Sequence, residues 1–114
     1  MEYLLLVYGD EKRWDRLDKP TAEKIQGEYA AFGKAHARAI RGGNALQPTA
    51  TAATVRVRNG KPLSTDGPFA ETKEQLGGYY LIEAGDREEA VAIAAEIPGA
   101  SAGCVEVRPI RKFS

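Results

Sequence analysis

Residues 2–8, EYLLLVY, carry apolar side chains on both alternating sets of a strand: Tyr3, Leu5 and Val7 on one side, Leu4, Leu6 and Tyr8 on the other. Such a pattern is expected of a strand covered on two faces, so this segment predicts a central strand with material packed above and below it. The chain has 114 residues, of which 43% are apolar. That is enough for one compact domain, 1–114, with a real core.

The rest of the chain supplies partners for that strand. After a polar connection, Asp18 or Thr21 caps a helix that tolerates Pro20 in its first turn. Ile25, Tyr29, Phe32, His36 and Ile40 fall at helical spacing, and Gly42 and Gly43 end the run. TATAATVRVRNGKPLST reads as a hairpin, because alternation through Val55 and Val57 meets the turn pair Asn59-Gly60. LGGYYLIEA is a further strand in which Gly77 and Gly78 mark a bulge or a close approach. Asp86 followed by Glu89 opens an Ala-rich helix running to about Ile97, before Pro98 and Gly99, and CVEVRPI is the last strand. No repeat, low-complexity segment or linker interrupts the series.

The order strand, helix, hairpin, strand, helix, strand predicts a ferredoxin-like α+β domain, an antiparallel sheet with both helices on one face. The strand sides away from the helices carry a mixture. Arg56 and Arg58 on the hairpin, and Glu106 and Arg108 on the last strand, stand beside the apolar positions of the first strand. Burial against a second copy accounts for a face of this kind, so a homodimer enclosing a polar-edged cavity is expected. A solvated face is the alternative for the individual charges.

Charge and cysteine content exclude several classes of function. Lys plus Arg number 16 and Asp plus Glu number 16, which leaves no excess of positive charge for a phosphate backbone, so no nucleic acid partner is expected. The single cysteine, Cys104, fits a reducing compartment and reads as a small buried residue at a strand start. The start MEYLLLVYGDEK has an acid at position 2 and a short apolar run, unlike a signal segment or a membrane span. A cytoplasmic protein with no membrane partner is expected.

The chemistry concentrates in STDGPFAETKEQLGGYYLIEA, residues 64–84. Gly67 adopts backbone angles closed to other residues and Pro68 pushes it away from the right-handed helical region, so Asp66 sits on a constrained bend. A carboxylate fixed in this way moves a proton, holds a cation, or accepts hydrogen bonds from its own turn. Glu71 lies near enough in sequence to share a cation or a proton with Asp66. Two carboxylates fall short of a metal-ligand pattern, and neither a metal nor a cofactor is expected. Tyr79 and Tyr80 point to opposite faces of their strand, one packing under a helix and the other offering its hydroxyl to a cavity. His36 shares the apolar stripe of its helix and is either a packing residue or a base.

These segments also carry a resemblance. YLLLVYGDE, LQPTATAATVRVRNGK, TDGPFAETKEQLGGYYLIE and VEVRPI resemble the YCII-related proteins, in particular the branch named for the tetrapeptide Asp-Gly-Pro-Phe, over nearly the whole chain. The resemblance implies a ferredoxin-like unit that pairs into a dimeric α+β barrel, the architecture also seen in muconolactone isomerase. It also implies an active site around an Asp with a His partner. The motif Asp matches Asp66, while the position of the His falls near Tyr29, about two turns before His36. On this basis a small organic ligand is expected in the barrel. Asp66 handles a proton in lyase- or isomerase-type chemistry, Arg56, Arg58 or Arg108 pairs with an anionic group, and Glu71, Tyr79 and Tyr80 lie nearby. Relatives linked to extracytoplasmic-function (ECF) sigma factors imply a second possibility, a regulatory or interaction module without chemistry.

Overall fold

A computed structural model describes residues 1–113. Its elements in chain order are β1 (Glu2–Gly9), α1 (Glu11–Asp15), α2 (Lys19–Ala35), β2 (Ile40–Ala45), a 3₁₀ turn (Thr49–Thr51), β3 (Ala53–Arg58), β4 (Lys61–Asp66), β5 (Gln75–Glu83), α3 (Arg87–Ala95), α4 (Gly99–Ala102) and β6 (Cys104–Pro109). Four strands form an antiparallel sheet in the order β2-β5-β1-β6, and β3 and β4 form a separate two-stranded ribbon. Without the ribbon the path is β-α-β-β-α-β with β1 in the interior, the ferredoxin-like arrangement expected for the two-sided apolar run of β1.

Alternation divides the sheet into two faces. Tyr3, Leu5 and Val7 of β1, with Ile82 and Tyr80 of β5 and Val105 and Val107 of β6, pack against Phe32 and Tyr29 of α2 and Ala90, Ile93, Ala94 and Ile97 around α3. Both long helices therefore cover one face, and Leu5, Ile82 and Ile97 are sealed from solvent. Burial on this scale contributes about 1.5–3 kcal/mol for each large aliphatic side chain.

The helix starts follow their caps. The Asp18 carboxylate accepts from the Thr21 amide at 2.8 Å with Pro20 in the first turn, and Asp86 accepts from the Glu89 amide at 2.9 Å. Glu89 reaches back to accept from the Gly85 amide at 3.0 Å, so the expected capping pair is present in reciprocal form. The β3–β4 turn places Asn59 and Gly60 at φ of 52° and 74°, the left-handed pair that a tight hairpin of this twist requires. The expected irregularity at Gly77 is a bulge: pairing steps from Val7↔Gly78 to Tyr8↔Leu76 and leaves Gly77 unpaired with β1.

Two expectations are corrected. The first helix does not run on to Ile40. It ends at Ala35 with His36 as its C-cap, and Ile40 opens β2, where Gly43 pairs with Tyr80. A Cβ at Gly43 would lie 2.7 Å from the Tyr79 carbonyl oxygen, so the glycines that read as a helix stop permit a close edge pairing instead. The second correction concerns Arg56 and Arg58. They belong to the detached ribbon, not to the face that carries Glu106 and Arg108.

Candidate functional site

The sheet face away from the helices carries Leu4, Leu6 and Tyr8 in the middle, flanked by Leu81 and Tyr79 on β5 and by Arg108, Glu106 and Cys104 on β6. No helix among the described residues packs on it. Tyr79 accepts a hydrogen bond from Asn44 Nδ2 at 2.9 Å on this face, while Tyr80 turns to the covered side and meets Phe32 edge-on at 5.1 Å. Burial, then the nearby Tyr29, raises the Tyr80 pKa above the ordinary phenol value. Of the expected pair, only Tyr79 faces the uncovered side of the sheet. Arg108 stands beside Glu106, Nη1 to Oε1 at 3.8 Å, with both side chains largely in solvent.

At one end of this face a shallow, open depression of about 400 Å³ is bordered by Tyr8, Lys73, Glu74, Cys104 and Glu106. Cys104 is exposed there, contrary to its reading as a buried residue. Its Sγ lies 3.8 Å from Glu74 Oε1, and its pKa is raised first by desolvation and then by the Glu74 carboxylate. The sequence reading assigned Tyr8, Glu74 and Cys104 to no site, although strand parity carried a signal for two of them. Tyr8 has the parity of Leu4 and Leu6, and Cys104 that of Glu106 and Arg108.

Asp66 ends β4 at the base of the ribbon and is exposed. The bend behind it is built from backbone. Gly67 sits at φ 96°, its amide donates to the Ala52 carbonyl at 2.7 Å, and its carbonyl accepts from the Thr54 hydroxyl at 2.8 Å. No hydrogen bond or ion pair reaches the Asp66 carboxylate among the described residues, so the bend does not use it. Nor does a bond join Asp66 to Glu71, which is exposed.

Pairing in the ribbon assigns its two faces. Ala53↔Asp66, Val55↔Ser64 and Val57↔Pro62 share one face, and Thr54↔Thr65, Arg56↔Leu63 and Arg58↔Lys61 share the other. Arg56 and Arg58 therefore lie on the face opposite Asp66.

His36 is not brought to Asp66. It caps α2 at its C-terminal end, its ring 4.9 Å from that of Phe32, with Nε2 3.3 Å from Glu96 Oε2 but making no hydrogen bond. Tyr29 is half-buried beside Gly99, and desolvation raises its pKa. Among the described residues no three or more His, Cys, Asp or Glu side chains converge as a metal site. No described helix is long and apolar enough to cross a membrane.

Comparison with known proteins agrees with this architecture. The solved structure of 5-chloro-2-hydroxyhydroquinone dehydrochlorinase (TftG) from Burkholderia phenoliruptrix AC1100, in complex with 2,5-dihydroxybenzoquinone, superposes with a TM-score of 0.60 over 99% of this chain and 96% of that one, at 13% identity. At that identity the likeness is one of fold. In sequence, the chain is 39% identical over 117 aligned residues to the uncharacterised protein R00369 of Rhizobium meliloti (strain 1021), spanning 99% of this chain and 94% of the relative. The YCII-related domain model matches residues 1–114, and the chain belongs to the YCII-related family.

Proposed function

We propose that the protein works as a homodimer binding a small organic molecule against the open sheet face, with Asp66 as the group that handles a proton. The observation that carries this reading is the Asp66 carboxylate itself. A bend fixed by Gly67 and Thr54 holds it in place, and no internal bond consumes it. A carboxylate so placed takes a proton from an acidic C–H or O–H of a ligand. It returns that proton to another atom in an isomerisation, or leaves the electron pair to expel an anion in a lyase reaction. Neither outcome requires an oxidant.

Arg108 is the cation on the open face suited to an anionic group of the ligand, and the Tyr79 hydroxyl is a neighbouring hydrogen-bond partner. Arg56 and Arg58, turned away from Asp66 on the ribbon, have no part in this reading. The quinone complex of TftG supports a small cyclic ligand by likeness of fold alone. A thermal-shift screen of small metabolites with wild type and Asp66→Asn side by side tests the reading, since a ligand that binds only the folded state raises the melting temperature. A compound that stabilises wild type and not the variant supports it; equal responses to every compound sink the role of Asp66.

The exposed apolar side chains of the ribbon favour one further reading, a regulatory module that docks on an ECF sigma factor. Failure of the two purified proteins to associate at physiological salt counts against it.

A further inference from the structure

The β3–β4 ribbon is amphipathic and uncovered. Val55 and Val57 are 64% and 59% exposed, and Phe69, just beyond the Asp66 bend, is 80% exposed. Every ribbon residue except half-buried Thr54 lies open to solvent, and the ribbon packs extensively on no other element of its own chain. A two-stranded ribbon alone in water is marginal at best, so this face calls for cover from outside the chain.

The dimensions of the chain point the same way. Its radius of gyration is 16.1 Å, against about 13 Å for a compact chain of this length. Its accessible surface is 8486 Å² for 12.3 kDa, where a compact monomer of that mass exposes about 6,100 Å². The excess is well over the roughly 800 Å² that each partner loses in a standard interface. Among the described residues the ribbon face and the apolar centre of the open sheet face are both uncovered, and a two-fold axis satisfies both at once, each copy giving a ribbon and receiving one.

We propose, resting on the homodimer above, that the ribbon is an arm clasping the second copy with its Val55, Val57 and Pro62 face, so that Asp66 completes a site on the partner's open sheet face. Register makes the connection. Asp66 shares its ribbon face with Val55, Val57, Ser64 and Pro62, so whatever covers the valines also meets the carboxylate. The reverse face carries Arg56, Arg58 and Lys61 with a single large apolar side chain, Leu63, and stays in solvent. Each site is then composite, with the carboxylate from one copy and the sheet floor from the other.

The test uses the full chain throughout. Light scattering gives the mass of wild type and of the double variant Val55→Asp, Val57→Asp, with circular dichroism to verify that the sheet remains folded. Thiol labelling of Asp66→Cys, made in a Cys104→Ser background with and without the arm substitutions, reads cover at position 66. The expected result is a wild-type dimer, an arm variant whose dimer is weakened by about thirtyfold or more, and labelling of Asp66→Cys about tenfold faster once the arm is released. Should the aspartates unfold the ribbon, Val55→Ser with Val57→Ser is the milder pair, expected to weaken the dimer by about tenfold. A monomeric wild type overturns the homodimer and this inference together. A wild-type dimer that survives either folded arm variant unchanged, or equal labelling with and without the arm substitutions, overturns the arm and leaves the homodimer standing.

Discussion

The Thr54 hydroxyl donates to the Gly67 carbonyl at 2.8 Å, tying the start of the ribbon to the bend that carries Asp66. Together with the bond from the Gly67 amide to the Ala52 carbonyl, it makes the bend a property of the backbone. Thr54→Val removes one hydrogen bond of about 1 kcal/mol, and Gly67→Ala forces a φ of 96° on a residue that resists it by about 1–2 kcal/mol. Both should speed hydrogen exchange at the Gly67 amide. Asp66→Asn, which removes no internal bond, should leave exchange and melting temperature unchanged; a large fall in melting temperature would show that the carboxylate holds the turn.

Close backbone approach makes Gly103 intolerant of a side chain. A Cβ there would stand 2.0 Å from the Tyr8 carbonyl oxygen, where β6 begins to pair with β1. Gly103→Ala should cost about 3 kcal/mol, a drop in melting temperature on the order of 10–20 °C. Gly33, within α2 and with nothing near its missing Cβ, is the control: Gly33→Ala should stabilise by about 0.5–1 kcal/mol. Calorimetric melting of the two variants checks both signs.

His36 behaves as a packing residue against Phe32. His36→Phe keeps the ring and should change stability by less than about 1.5 kcal/mol, whereas His36→Ala should cost about 2 kcal/mol. Any ligand found by thermal shift should bind the Phe variant as well as wild type. Loss of binding in His36→Phe would restore it as a partner of Asp66.

Cys104 provides a pH-dependent readout of its depression. Alkylation requires the thiolate, and both desolvation and Glu74 favour the neutral thiol. The iodoacetamide rate should therefore rise with pH around a midpoint above that of an ordinary cysteine. Removing a negative charge lowers a thiol pKa, so Glu74→Gln should move the midpoint down and speed alkylation at neutral pH by about two- to fivefold. An unchanged profile would mean that Glu74 does not act on the thiol.

Local signals in the sequence determined much of this protein. The doubly apolar β1, the caps at Asp18 and Asp86, the Asn59-Gly60 turn, the Gly77 irregularity and the rigid bend after Asp66 were all legible, because each depends on the residues at that position or a few away. The opposite directions of Tyr79 and Tyr80 follow from strand alternation, although only packing decided that Tyr80 is the one beneath the helix. β2 was not legible. After Ile40, IRGGNA has no strand-forming side chain, and its strand exists because β5 offers hydrogen bonds to a backbone that glycine lets come close. The short helices α1 and α4 also escaped, having no periodic stripe to declare them.

The candidate site divides along the same line. The candidates for chemistry were chosen by residue type and motif, Asp66 among them. Their assembly was a tertiary outcome: the ribbon detaches from the sheet, Arg56 and Arg58 leave with it on the face opposite Asp66, His36 caps α2 beside Phe32 and Glu96, and Tyr8 and Cys104 come together across paired strands. Alternation tells which residues share a face of one strand, but which strands stand side by side is decided by long-range pairing and by the burial of surfaces distant in sequence.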